Sequence, residues 1–311
     1  MRIFYDLSEV QKKENTVLTL GTFDGLHLGH KKIIEKLKKR ALFLNCRSFV
    51  VTFSPHPRNV VYGNNAPNLL TSDKEKIRLF EEYGIENLLI VNFTKEFSQL
   101  SSESFFKNYI IEKIGLKEIV VGYDHHFGKG RSGDVNTLRK MGIEFGFDVT
   151  TVEAFKILNE PVNSTKIRKA LSTGNIKTAN SYLGREYSFN GTVVSGDKRG
   201  RKLGFPTANI SIEGNNKLLP VLGIYAVEFS FDSEMHKGLL SIGIRPTFYD
   251  TGNIVPEVYL YDFDKDIYNK KVTVKIIDWI RGEEKFSSAE ALVEQMQKDK
   301  LKGLEILKKA S

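Results

Sequence analysis

The sequence predicts two folded parts in series: a parallel-sheet α/β domain over residues 1–184, then a small closed β-barrel with a terminal helix over residues 185–311. Three observations carry this. Through the first half, short runs of near-continuous apolar residues alternate with helix-period segments, the pattern of parallel strands covered on both faces. At Gly184-Arg185-Glu186 the character changes to strands and turns, with one amphipathic stretch at the end. A chain of 311 residues also exceeds one ordinary domain.

The predicted strands of the first part are Val17–Phe23, Phe49–Phe53, Leu88–Phe93, Ile119–Tyr123 and Val149–Phe155. Helical periodicity covers Gly29–Leu44, Asp73–Tyr83, Ser101–Ile114 and Asp134–Phe145, and two short helices follow at Ser164–Leu171 and Ile176–Leu183. Ligands of such sheets sit beyond the carboxyl ends of the strands. The second part reads as strands 187–195, 207–212, 223–231, 237–243, 256–263 and 271–280. A closing helix runs from Ser287 to about Leu307, its start signalled by Ser287-Ser288 and Glu290.

With 41% apolar, 27% charged and 11% aromatic residues, the composition is that of a soluble globular protein. No run of about 18 apolar residues is present, and Met1–Asn15 has no apolar signal core. The single cysteine, Cys46, excludes an internal disulfide and fits a reducing compartment, so a cytoplasmic location is expected. The net charge of +8 is uneven: residues 1–184 hold 27 basic against 20 acidic side chains, and residues 185–311 hold 19 against 18. A basic first half suits nucleic acid or a polyphosphate ligand. Its densest run, Lys31–Arg40, carries Ile33, Ile34 and Leu37 at helical spacing, so its cations read mainly as the solvated face of a helix.

Two stretches carry chemistry. Gly21-Thr22-Phe23-Asp24-Gly25-Leu26-His27-Leu28-Gly29-His30 closes the first strand and opens the first helix. His27 and His30 share one face of the first turn, Gly29 permits close approach, and the helix end adds partial positive charge. This is a cradle for a triphosphate attacked in line at its α-phosphorus, where positioning and charge stabilisation supply the rate. A zinc site would need further ligands, and His56 and His125-His126 come without matching carboxylate or thiol spacing. Asn163-Ser164-Thr165-Lys166-Ile167-Arg168 reads as a second clamp, with hydroxyls at a helix start and Arg168 one turn on.

The other stretch is Gly200-Arg201-Lys202-Leu203-Gly204-Phe205-Pro206-Thr207-Ala208-Asn209. Thr207 and Asn209, two apart on an extended chain, face the same way and offer two neutral oxygens to a hard cation such as Mg²⁺ with ATP phosphates. A plain Gly/Pro turn capping a strand is the alternative. A kinase of a primary alcohol also benefits from a carboxylate base. Glu257, Asp262 and Asp264 are equally open candidates on sequence grounds.

The first cradle, Thr52-Phe53-Ser54-Pro55-His56-Pro57, Gly122-x-Asp124-x-x-Phe127-Gly128 and Ser164-Thr165-x-Ile167-Arg168 together resemble the adenylyltransferase half of bacterial bifunctional riboflavin kinase/FMN adenylyltransferases, the FAD synthetases. Gly200–Asn209 resembles the riboflavin kinase signature of the same family, and order and spacing agree over essentially the whole chain. The resemblance implies a Rossmann-like nucleotidyltransferase domain and a six-stranded antiparallel riboflavin kinase barrel. It implies riboflavin, FMN and ATP as ligands, Mg²⁺ with ATP, FMN and FAD as products, and no nucleic-acid or membrane partner; it leaves the oligomeric state open.

By the same resemblance His27 and His30 stabilise the α-phosphate transition state. Gly21, Thr22, Phe23, Asp24, Gly25 and Asp124 belong to the nucleotide pocket, and Ser164, Thr165 and Arg168 hold the β- and γ-phosphates. Phe53, Pro55 and His56 lie near FMN. In the barrel, the pattern Glu-Val-x-x-x-Asp-Phe after Gly-x-Arg-Pro-Thr-Phe (Gly243–Phe248) singles out Glu257 as the base on the riboflavin 5′-hydroxyl. Thr207 and Asn209 carry Mg²⁺, while Gly196, Lys202, Gly204 and Pro206 close over the ATP phosphates. Arg281 and Phe286 resemble the flavin-side segment, with a surface arginine as the plain alternative.

The chain departs from the common pattern at His125-His126, where an aromatic often follows the Asp124 position, at Asn163 in place of a serine, and at Tyr259 in place of a histidine. For His125 and His126 the plain alternative is a pair of titrating loop residues without a role. Two other functions remain distinguishable: a chain with one surviving activity and a flavin-binding module, and a nucleic-acid binder with flavin as effector, which predicts strongly salt-dependent binding.

Overall fold

The structure is a computed structural model that describes residues 1–196, 200, 204–214, 216–244 and 254–309. Lys202 and the Arg245–Phe248 part of the kinase-side pattern therefore lie outside the described residues. The chain divides into two compact units, Met1–Asn163 and Ser164–Ser311.

In the first unit the strands are β1 (Arg2–Phe4), β2 (Thr16–Leu20), β3 (Arg47–Ser54), β4 (Asn87–Asn92), β5 (Glu118–Gly122) and β6 (Asp148–Val152). They form one six-stranded sheet in the order β1-β4-β3-β2-β5-β6, and every pairing is parallel. The helices are α1 (Leu28–Phe43), α2 (Pro57–Tyr62), α3 (Asp73–Glu82), α4 (Ser102–Phe105) continuing as a π-helix over Phe106–Ile114, and α5 (Val135–Phe145). A two-residue hairpin, β7 (Lys156–Ile157) and β8 (Glu160–Pro161), completes the unit.

Strand residues alternate between two cores, as a sheet covered on both faces requires. Leu18, Phe49, Val51 and Leu89 pack with Phe106, Ile110, Leu138 and Met141 on one side. Val17, Val50, Leu88 and Val120 pack with Ile34, Leu37, Leu79 and Phe80 on the other. The basic run of α1 is mainly a solvated face, as expected, with Lys31, Lys36, Lys38 and Lys39 exposed. Arg40 instead grips Glu118 of β5 with Nε at 2.8 and 2.9 Å from its two oxygens, and that carboxylate is fully buried.

The second unit opens with α6 (Ser164–Ser172) and α7 (Ile176–Leu183). The barrel strands are β9 (Tyr187–Val194), β10 (Thr207–Ile212), β11 (Gly223–Phe231), β12 (Glu234–Ile244), β13 (Ile254–Leu260) and β14 (Lys271–Arg281). They close in the order β10-β13-β12-β11-β14-β9 with antiparallel pairing throughout. The closing helix α8 (Ala289–Lys309) begins two residues later than the sequence suggested, with Ser288 Oγ accepting from Ala291 N at 3.2 Å. It lays Leu307 on Ala226, Leu239 and Ile280. Gly303 makes that approach possible, since a Cβ there would fall 2.5 Å from Leu239 Cδ2 and from the Tyr261 hydroxyl. Among the described residues, no helix is long and apolar enough to cross a membrane.

Candidate active sites

The chain runs from β2 through β3 to β4 on one side of the sheet, then to β5 and β6 on the other, so β2 and β5 flank a topological switch point. A crevice at the carboxyl ends of these strands is where such sheets bind ligands. After β2, Gly21 N still donates to Val51 O at 3.0 Å, and the chain then turns with positive φ at Phe23 (50°), Gly25 (85°) and Leu26 (38°). Two non-glycine residues in that region cost free energy and persist only where surroundings enforce them. Here Asp24 is buried and its Oδ1 accepts from Leu70 N (2.9 Å) and Thr71 N (3.1 Å), while Gly25 N donates to Thr71 Oγ1 at 3.1 Å. Thr52 Oγ1 donates to Thr22 O at 3.4 Å.

The turn delivers His27 as the N-cap of α1, its Nδ1 accepting from His30 N at 3.4 Å. The two imidazoles stack with centroids 3.7 Å apart and planes 18° apart. A Cβ on Gly29 would sit 3.1 Å from the His27 ring, so glycine is what lets the ring lie there. Phe23 points inward and meets His30 edge-on at 5.3 Å and Phe80 at 5.4 Å. No acidic residue occupies the first turn of α1, which leaves the positive helix end available to an anion. Phe23 and Asp24 are both buried, Phe23 against His30 and Asp24 against the Leu70–Thr71 backbone.

Past β5, Tyr123 N donates to Val152 O at 3.0 Å, and a turn closed by His125 N on Gly122 O (3.2 Å) leaves Asp124 exposed. His125 is partly exposed, but its Nε2 is enclosed and without a hydrogen-bond partner among the described residues. Its ring stacks on Phe127 at 5.8 Å. Burial, then the neighbouring His126 and Arg131, push its pKa down to about 4. Burial thus moves the titration of His125 toward acid pH.

At the end of β3, Phe53 is buried in an aromatic cluster, 5.6 Å from Phe93 and 6.0 Å from Phe97. Pro55 follows Ser54 through a cis peptide, and His56 caps α2, its Nδ1 accepting from Arg58 N at 3.1 Å. Ser164 and Thr165 occupy the first turn of α6, with Arg168 one turn on, in the second unit.

In the barrel, register places Thr207 opposite Tyr259 and Asn209 opposite Glu257. The diagonal pair closes, with Thr207 Oγ1 donating to Glu257 Oε2 at 2.9 Å. Asn209 is buried, and a Cβ on Gly196 would fall 2.1 Å from its Nδ2, so the chain after β9 passes directly over the Asn209 amide. Beside them, Val194, Ser195, Val255 and Pro256 help line a cavity of about 320 Å³ that also takes in Asn209. Tyr259 packs against Phe205 of the signature loop at 5.1 Å. Gly204, at φ 81°, and the exposed Pro206 flank Phe205. The geometry thus brings Glu257, alone of the three candidate carboxylates, onto the Thr207–Asn209 face. Arg281 is not a surface arginine. Its guanidinium holds the buried Asp299 of α8 through Nε at 3.0 Å and Nη2 at 2.8 Å, and lies over the Phe286 ring at 5.7 Å.

Two family models match, one described as FAD synthetase over residues 9–166 and one as riboflavin kinase over residues 183–307. The bifunctional riboflavin kinase/FMN adenylyltransferase of Listeria monocytogenes is 38% identical over 92% of this chain and 90% of its own. That of Escherichia coli K12 is 35% identical over 97% and 95%. This chain belongs to the bifunctional riboflavin kinase/FMN adenylyltransferase family. It carries both the nucleotidyltransferase and the kinase domain of that family, the first on the parallel sheet and the second on the barrel. A crystal structure described as a macrolide-efflux protein from Streptococcus pneumoniae shares the fold, with a TM-score of 0.86 and 30% identity over 96% of this chain and 97% of that one. The two family matches leave residues 167–182 between them, most of α6 and α7.

Proposed function

We propose that the barrel transfers the γ-phosphoryl group of MgATP to the 5′-hydroxyl of riboflavin, and that the first unit then joins AMP from a second ATP to the resulting FMN. The observation that carries the residue assignment is the convergence of Thr207, Asn209 and Glu257 on one barrel face, together with the stacked His27 and His30 at a helix start whose first turn holds no acidic residue. In the kinase step the riboflavin oxygen attacks the γ-phosphorus, its proton passes to Glu257, and ADP leaves. Glu257 is within reach of that role because Thr207 Oγ1 orients its carboxylate.

The donors at this face are a hydroxyl, an amide oxygen and a carboxylate, a hard all-oxygen set that fits Mg²⁺ shared with phosphates. Thr207 and Asn209 would hold the ion, which when bound neutralises and aligns the ATP phosphates. Gly196, Lys202, Gly204 and Pro206 are assigned to the loop over those phosphates, and Arg281 and Phe286 to the flavin side.

In the adenylyl step an FMN phosphate oxygen attacks the α-phosphorus and pyrophosphate leaves, so both electron pairs stay on phosphate oxygens and no covalent enzyme intermediate is required. His27 and His30 stabilise the charge that develops. Gly21, Thr22, Gly25 and Asp124 contact the nucleotide, with Phe23 and Asp24 holding them. Ser164, Thr165 and Arg168 take the β- and γ-phosphates, and Phe53, Pro55 and His56 the flavin. The lone, half-buried Cys46 fits a cytoplasmic enzyme.

The test is a time course of riboflavin, ATP and Mg²⁺ with flavins resolved by chromatography. Wild type yields FMN first and FAD after. His27→Asn accumulates FMN, whereas Glu257→Gln leaves riboflavin untouched yet still converts added FMN to FAD. FAD formation surviving loss of both histidines, or kinase activity surviving loss of Glu257, overturns the assignments.

A further inference from the structure

The start of α3 holds a buried lysine that neither reaction above employs. Lys76 is only 5% exposed, and lysine is among the side chains least often buried. It also stands near the N-terminus of its helix, where a cation opposes the helix dipole. Both features are unfavourable, and a helix start does not call for them. Departures of this kind from local preference concentrate where a protein positions something.

What Lys76 does is hold Asp73, with Nζ 3.3 Å from Oδ1. The other carboxylate oxygen of Asp73, Oδ2, accepts a hydrogen bond from Ser54 Oγ at the end of β3. Ser54 is the residue between Phe53 and the Pro55-His56 pair. An aspartate in a first helical turn is explained by the dipole alone. A buried ammonium behind it and a strand-end hydroxyl in front of it are not. The piece is rigid, because Ser72 and Glu75 form a reciprocal capping box at 3.2 and 2.8 Å. Just upstream, Leu70 and Thr71 hold Asp24 and Gly25 of the nucleotide loop. One short segment, 70–76, thus braces both strand-end loops from behind.

We propose that Asp73, fixed by Lys76, is a positioning residue for the FMN subsite: through Ser54 it sets the segment Phe53–His56 against which flavin is held. This rests on the reading above that the segment faces FMN. Asp73 touches no reacting atom, so its effect falls on flavin affinity and not on the chemical step.

Full-length Ser54→Ala, Asp73→Ala and Lys76→Met are assayed for adenylylation with FMN and ATP varied separately, and for riboflavin kinase activity on the same polypeptide. The expected result is a KM for FMN raised about tenfold in Asp73→Ala and Lys76→Met, with KM for ATP and the kinase kcat/KM changed by less than about twofold. The Ser54→Ala/Asp73→Ala double variant is no worse than Asp73→Ala, since the two act through one bond. A merely structural role would lower the active fraction, and so kcat, while leaving KM for FMN alone. That result in the mild Ser54→Ala variant as well as in Asp73→Ala overturns the inference. His56→Ala separates the two ways of failing. If it raises KM for FMN while the Asp73 variants do not, the positioning role alone falls. If neither moves it, the flavin assignment of the segment falls too, and the inference with it.

Discussion

His125 is a histidine kept neutral by its surroundings. Its folded pKa of about 4 lies below the ordinary 6.5, with burial the main cause and the charges of His126 and Arg131 adding to it. The unfolded chain therefore binds the extra proton first as pH falls, so stability is full above about pH 6.5 and is lost as pH drops toward 4. At pH 5 this one ring costs about 2 kcal/mol relative to pH 7. His125→Phe keeps a ring against Phe127 and removes the titration. Its urea midpoint falls less between pH 7 and pH 5 than that of wild type, and equal losses in the two proteins would show that the ring is hydrated after all. At this scale the sequence disclosed the pairs that local spacing sets side by side. His27 and His30 share a helical turn, and Thr207 and Asn209 share a strand face, and both pairs stand as periodicity places them. The Asp24–Thr71 and Ser54–Asp73 contacts were not legible, because each links segments distant in the chain that only the fold brings together. Nor did sequence alone separate Glu257 from Asp262 and Asp264; the β10–β13 register does.

Elements were read well where burial is two-sided and poorly where it is not. β2 through β6 are apolar runs because both faces of the sheet are covered, and each was located within a few residues. β1 is three residues at the sheet edge, paired with Asn87–Leu89 far along the chain, and carries no pattern of its own. The β11–β12 turn uses Asp232 and Ser233 at φ 46° and 68°, a two-residue hairpin loop without the glycine that usually marks one, so β12 begins earlier than expected. The segment 101–114 was legible as a helix, though its π pitch over Phe106–Ile114 was not. The tie between α1 and β5 shows how an element is secured beyond its apolar stripe. Arg40→Ala strands the Glu118 carboxylate in the core and costs about 3 kcal/mol. Calorimetry should then place the melting of the first unit roughly 10 °C lower. The Arg40→Met/Glu118→Leu pair recovers most of that loss, because no buried charge is left unpaired. A single Arg40→Ala change without effect would mean that water reaches Glu118.

On the scale of the whole molecule, the change of character at Gly184 marks where barrel strands begin, and residues 1–184 against 185–311 was the division it suggested. The two short helices before that point belong by contact to the unit that follows them. Asn180 is the clearest link: its Nδ2 donates to Ile276 O of β14 at 3.0 Å, and its Oδ1 accepts from Tyr187 N at the start of β9 at 2.7 Å. Leu171 O accepts from Val221 N at 3.1 Å, and Gly174 lies against the Trp279 ring so closely that a Cβ would sit 2.9 Å away. Ile167, Leu171, Ile176, Ala179 and Leu183 are all essentially buried. A polypeptide of residues 185–311 would lose these hydrogen bonds and expose the barrel surface that α6 and α7 cover, whereas one of residues 164–311 keeps both. At about 1 kcal/mol per hydrogen bond and 1.5–3 kcal/mol per large side chain, the difference exceeds about 5 kcal/mol. The shorter piece should therefore melt at least about 10 °C below the longer one. Both contain Thr207, Asn209 and Glu257, so at low temperature both phosphorylate riboflavin. Equal melting temperatures would assign α6 and α7 to the nucleotidyltransferase instead, and would place the working boundary where the strand pattern begins.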